Sequence, residues 1–270
     1  MEWRELEALK IKTETELKNK LFEAVRNNNI SEVEKALSLR ADVNVVDKYG
    51  QTALMYACCN GHIDTVQLLI EHGADINATD DDGWTPLIYA AYCGNTDITI
   101  LLLKYRTNIN AVNKYGDTAL MMACWNGYID IAELLIEHGA DVNAVDNMGR
   151  SALGFAYRNG YTDIVNLLLK SGADPDIKDN DGNTALMYLA REGDPNSMKL
   201  LAKAGADLNI RNSEGQTAFE ILKEKYPEKY RNAVTPAKYK EHVRQAKKQK
   251  LLKKRTYEGN IYDEGNMHCI

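Results

Sequence analysis

The sequence predicts an all-α repeat solenoid, a stack of helix–turn–helix units, and three observations carry that prediction. The stretch Asp47–Thr79 (DKYGQTALMYACCNGHIDTVQLLIEHGADINAT) is written again at Asn113–Val145, where 23 of 33 positions hold the same residue. The turn glycines Gly50, Gly83, Gly116, Gly149, Gly182 and Gly215 each stand 33 residues apart. Each unit also holds two short apolar stretches of helical spacing, closed by glycine everywhere but at Arg106. A fixed period of this size marks stacked supersecondary units. Helices of roughly eight residues are not stable alone in water, so each must bury its apolar face against its neighbours. The stack is therefore expected to fold as one body.

Taken in order, residues 2–17 (EWRELEALKIKTETEL) have helix-forming composition, with Trp3, Leu6 and Leu9 at helical spacing. They predict an extra N-terminal helix covering the first apolar face. Residues 21–44 keep the two-helix pattern but lack the opening turn, as a capping unit should. Arg40 stands there in a slot that later units fill with Gly.

Five full units follow, 47–79, 80–112, 113–145, 146–178 and 179–211. Their opening Asp/Asn-x-x-Gly-x-Thr is turn chemistry, a short polar side chain bonding nearby backbone beside a glycine that tolerates positive φ. In the first unit Leu54, Ala57 and Cys58 define one buried helix face. Val66, Leu69 and Ile70 define that of a second helix, from about Asp64 to Glu71. Gly73 ends that helix in left-handed geometry. In the second unit Arg106 occupies this slot, and a non-Gly residue there costs about 1–2 kcal/mol, which makes the joint after it the softest expected in the stack. In the fifth, Asp194-Pro195 reads as an N-cap followed by Pro at the first helical position. Residues 212–226 (NSEGQTAFEILKEKY) read as a C-terminal cap, so the solenoid is expected to span 1–226.

The period of 33, Trp84-Thr85-Pro86-Leu87, the Asn-Gly or Cys-Gly before the second helix, and Gly-Ala-Asp-Ile-Asn at the end together resemble the ankyrin repeat. The resemblance covers roughly 17–226 and implies short β-hairpin turns between helix pairs. Two departures stand out. Pro86 alone keeps the family's Pro, with Ala53, Ala119, Ala152 and Ala185 in that slot elsewhere. The family's His is replaced by Met55, Ile88, Met121, Gly154 and Met187, which puts its Thr–His hydrogen bond in question.

Charge is unevenly spread. The net charge of −6 divides into +6 on 227–270, with 11 Lys/Arg against 5 Asp/Glu, and −12 on 1–226, with 22 against 34. Pro227 interrupts the repeat pattern. Thr235-Pro236 can open another helix to about Arg255, and 256–270 are expected to be disordered. The first residues lack the apolar core of a signal peptide, and the longest apolar run, six residues at 98–103, is far short of the ~20 a transmembrane helix needs. Five cysteines cannot all pair, and Cys58 and Cys124 share one inner-helix slot. That usage predicts a reducing, cytoplasmic setting.

Catalysis finds no support. His62, His72 and His138 belong to the repeat framework, and no phosphate loop, nucleophile elbow or Cys-x-x-Cys spacing occurs. Asp80-Asp81-Asp82-Gly83 lacks the remaining ligands of a twelve-residue calcium loop and reads as a turn. No enzyme, cofactor or metal is expected.

Binding is better supported. The resemblance implies that turn tips and first-helix ends line one concave face, where positions that vary between units are free for a partner. Tyr49, Trp84, Tyr92, Tyr115 and Trp125 fall in those slots on the first three units; Arg150, Arg158 and Arg191 fall there on the last two. Trp, Tyr and Arg dominate interface energetics. The expectation is a monomeric adaptor or inhibitor that binds a protein or peptide, with an apolar anchor at the rings and an acidic portion at the arginines. The alternative is a protein that binds nucleic acid or an anionic membrane through Lys247, Lys248, Lys250, Lys253, Lys254 and Arg255. The tail could also fold back on the acidic solenoid.

Overall fold

The computed structural model describes residues 3–232; the expectations for the helix from Thr235 and for the basic side chains 247–255 lie outside the described residues. Fourteen α-helices occur among the described residues, and no strand. They belong to two compact units, Met1–Asn147 and Met148–Ile270.

In the first unit, α1 (Trp3–Arg26) pairs with α2 (Ile30–Ser38), α3 (Ala53–Asn60) with α4 (Ile63–Glu71), α5 (Pro86–Cys93) with α6 (Thr96–Lys104), and α7 (Ala119–Asn126) with α8 (Ile129–Glu137). The first helices α1, α3, α5 and α7 form one layer, and α2, α4, α6 and α8 the other. In the second unit, α9 (Ala152–Arg158) packs on α10 (Thr162–Lys170), and α11 (Ala185–Glu192) on α12 (Pro195–Ala204). There α9, α11 and α13 (Ala218–Lys225) form the inner layer, and α14 (Pro227–Asn232) packs on α13. Pro227 therefore opens a helix where the repeat pattern stops. No described helix is long and apolar enough to cross a membrane.

The extra N-terminal helix does not end near residue 17. It runs unbroken into the capping unit as one 24-residue helix, because Lys18-Asn19-Lys20 offers neither Gly nor Pro to interrupt it. The turns close as short hydrogen-bonded loops that carry no strands among the described residues. Asp47 N–H donates to Gln51 O (2.9 Å), Asp80 N–H to Trp84 O (3.1 Å) and Asn113 N–H to Asp117 O (3.1 Å), with an isolated bridge between Val46 and Thr52.

The core follows the repeat pattern. Leu54, Ala57, Cys58, Val66 and Leu69 are fully buried. Ile70 is only half-buried, and Thr65 is buried instead, donating its hydroxyl to Asn28 Oδ1 at 2.9 Å. In place of a Thr–His bond, Thr52, Thr85, Thr118 and Ser151 cap their helices. Each hydroxyl oxygen accepts from the backbone N–H three residues on, worth about 1 kcal/mol apiece. Asp194 caps α12 as expected, accepting from Asn196 N–H and Ser197 N–H.

Two ladders of polar bonds then set the spacing between repeats. Adjacent turns are joined backbone to backbone: Asp81 N–H to Tyr49 O (3.1 Å), Lys114 N–H to Asp82 O (2.8 Å) and Asn147 N–H to Tyr115 O (2.9 Å). At the other end, the closing Asn of each repeat accepts from the next: Asn44 from Asp75 N–H (2.8 Å), Asn77 from Asn108 N–H (2.8 Å), Asn110 from Asp141 N–H (2.9 Å). The first ladder explains the turn glycine. A Cβ on Gly50 would lie 2.7 Å from Asp81 N and 2.6 Å from its Oδ1, so the close approach of the next turn excludes a side chain.

The turn after α6 keeps the repeat geometry despite its arginine. Arg106 has φ 56°, and Arg40 in the matching slot has φ 66°, where the other repeats place Gly73 or Gly139.

Candidate partner-binding surface

The turn tips and first-helix ends of the first unit form a groove of about 490 Å³. It is lined by Tyr49 and Gln51 of the first repeat, Asp80, Asp81, Asp82, Trp84, Tyr89 and Tyr92 of the second, and Tyr115 of the third, with Cys59 at its edge. Four of the five rings expected there therefore share one cavity. Tyr49, Tyr92 and Tyr115 are 56%, 45% and 51% exposed. Trp125 is 37% exposed on α7 but does not line the groove.

Trp84 is not a fully exposed ring. It is half-buried, stacked obliquely on Tyr89 (centroids 5.2 Å) and edge-on to Tyr92 (5.3 Å, planes at 90°). Its turn is held by Asp80, which is 9% exposed. Asp80 Oδ1 accepts from Asp82 N–H (2.9 Å) and Trp84 N–H (2.8 Å), and Oδ2 accepts from the Tyr89 hydroxyl (2.6 Å). Burial first, and then this bond to a carboxylate, push the Tyr89 phenol well above its usual range.

Tyr89 was missed as a site residue, yet its signal is periodic. Tyr56, Tyr89 and Tyr188 occupy one slot of the repeat, and each donates to the Asp nine residues earlier, Asp47, Asp80 and Asp179. The slot serves the repeat framework, and in the second repeat it also builds the groove wall. Asp47 shows the electrostatics of this arrangement. Its partial burial raises the pKa, but bonds from Tyr49 N–H, the Tyr56 hydroxyl and Gln51 N–H outweigh that and hold it below the usual carboxylate range.

Cys59 and Cys93 are joined by a disulfide, with Cα atoms 5.4 Å apart. The sequence showed no paired spacing for them, and they meet because both lie in the last turn of the first helices of adjacent repeats. Cys58 and Cys124 are free and buried, and burial pushes both thiols up. The histidine rings hold helix ends: His62 contacts Val25 O (3.0 Å), His72 Leu68 O (2.9 Å) and His138 Leu134 O (2.8 Å). No cluster of metal-ligating side chains occurs among the described residues.

In the second unit, Arg150 and Arg158 line a cleft with Phe155, Asn183 and Tyr188. Arg150 lies over the Phe155 ring (4.9 Å). Arg191 donates to Asn183 Oδ1 (3.0 Å) and sits 5.9 Å from the Tyr188 centroid. Two of the three expected arginines thus rest on rings of their own chain. Nearby, the Tyr157 hydroxyl is buried with no hydrogen-bond partner among the described residues.

A family model described as ankyrin repeats matches this chain in three copies, at residues 21–113, 98–179 and 153–222. A search of the curated proteins found no match.

Proposed function

The chain belongs to the ankyrin-repeat family, and from that premise we propose that it is a non-enzymatic adaptor or inhibitor that binds a protein or peptide through the turn tips and first-helix ends of its first unit. Repeats of this kind are in general protein-interaction modules. The observation that supports this reading is the groove itself: rings from three successive repeats, Tyr49, Trp84, Tyr92 and Tyr115, line one cavity while remaining accessible. Rigid aromatic side chains supply large contact area at low entropic cost, which is why they dominate interface energetics. In this reading Trp125 extends the contact along α7. Arg150, Arg158 and Arg191 serve the second unit, where an acidic stretch of partner would displace ring contacts already in place. In this reading the protein acts as a monomer in the cytoplasm, where the Cys59–Cys93 pair would be kept reduced.

The test is a pull-down from native lysate at two salt concentrations, wild type beside Trp84→Ala/Trp125→Ala. The expected result is a protein lost in the double variant and retained by wild type in high salt. Nucleic acid or lipid recovered equally by both and released by salt would move the function to the basic residues 247–255.

A further inference from the structure

Resting on that reading, we propose that the groove of the first unit is a cation site: it takes a lysine ammonium or arginine guanidinium of a basic peptide, seated between Trp84, Tyr92 and Asp81. The anchor expected from the sequence was apolar, and the carboxylates around the rings argue for a charged one.

Trp84 and Tyr92 meet with their planes at 90° and centroids 5.3 Å apart, forming two walls of a corner. Ring faces carry negative potential, and indole binds cations best. The chain already uses the flanking rings in this way. Lys48 Nζ lies 4.7 Å from the Tyr49 centroid and Lys114 Nζ 5.1 Å from that of Tyr115. Among the described residues no cation of the chain sits over Trp84 or Tyr92, between those two pairs.

Charge agrees. Residues 51–100 hold seven Asp/Glu and no Lys or Arg. Of the three carboxylates in the groove, Asp80 accepts three hydrogen bonds from its own turn and Tyr89 and Asp82 pairs with Lys114. Asp81 is exposed, and its carboxylate has no partner among the described residues; only its backbone N–H is engaged. An apolar anchor would desolvate these carboxylates without pairing them. A cation stacks on the rings and pairs with Asp81 at once, whereas a phosphate would meet like charge.

The experiment titrates the full chain with a capped Gly-Arg-Gly-Gly-Arg-Gly peptide and with its norleucine counterpart, followed by NMR or calorimetry. The arginine peptide should bind at least about tenfold tighter. Asp81→Asn, an exposed change that keeps the fold, should remove most of that preference, as should Trp84→Leu. Equal binding of the two peptides, binding of neither up to millimolar concentration, or an unchanged preference in Asp81→Asn overturns the cation site. None of these outcomes touches the interaction reading, which falls instead when Trp84→Ala/Trp125→Ala keeps every partner of the wild type.

Discussion

The Tyr89 hydroxyl donates to Asp80 Oδ2 at 2.6 Å, and this bond ties the second repeat's inner helix to the turn that carries Trp84. Because Asp80 Oδ1 separately holds the backbone of Asp82 and Trp84, the same carboxylate shapes the turn and positions the ring stacked on Tyr89.

Tyr89→Phe should therefore cost about 1.5–3 kcal/mol, the range for a hydrogen bond to a charged group left without its donor. Urea unfolding measures the loss. Trp84 fluorescence should change as well, while circular dichroism of the folded state stays helical. Unchanged stability would show that water replaces the hydroxyl at no cost.

Asp47 predicts an acid-sensitive first turn. Its folded pKa lies below the unfolded value, so its contribution is present above the ordinary carboxylate pKa and lost as pH falls through the folded one. Asp47→Asn should flatten the fall in melting temperature between about pH 5 and pH 2. A variant whose acid profile parallels wild type would refute the assignment.

Two left-handed positions should respond in opposite directions. Arg106→Gly relieves a positive φ of 56° at the slot where Gly73 has no atom near its would-be Cβ, and should stabilise by about 1 kcal/mol. Gly50→Ala adds a methyl against Asp81 backbone as well as strain, and should cost more than about 1–2 kcal/mol. Thermal unfolding of both variants decides.

The Cys59–Cys93 pair closes a loop of sequence separation 34. Alkylation of native protein should label these two cysteines only after reduction. Cys59→Ser/Cys93→Ser should lower stability by at most about 3–4 kcal/mol on the loop-entropy account. Alkylation in intact cells, read by mass spectrometry, measures what fraction is oxidised where the protein works.

The helix pairs, their closing glycines and the framework burial of Leu54, Ala57 and Cys58 were legible because stacking makes every repeat meet the same neighbours, so the same residues recur every 33; the helix-capping role of Thr52, Thr85 and Thr118 was not, and that Thr read only as turn chemistry. The turn glycines and the closing asparagines recur for the same reason, since each serves a ladder between repeats. The candidate site was legible only as a set of slots that vary. Sequence placed Tyr49, Trp84, Tyr92 and Tyr115 among them, but could not distinguish an exposed ring from one half-covered by Tyr89. It also ran the N-terminal helix short: the helix ends only at Arg26, where Asn28 takes φ 49°, and the change of pattern near residue 17 was no break, since no Gly or Pro stands there.

What the sequence by itself determined was the repeat, its register and its helices, since these depend on spacing along the chain. What only the tertiary structure decided was the company each variable side chain keeps: Asp81 left open while Asp80 and Asp82 are engaged, Trp84 at right angles to Tyr92, Arg150 on Phe155, Cys59 on Cys93. Those contacts join residues of different helices or turns, and their distances exist only after the apolar faces have packed.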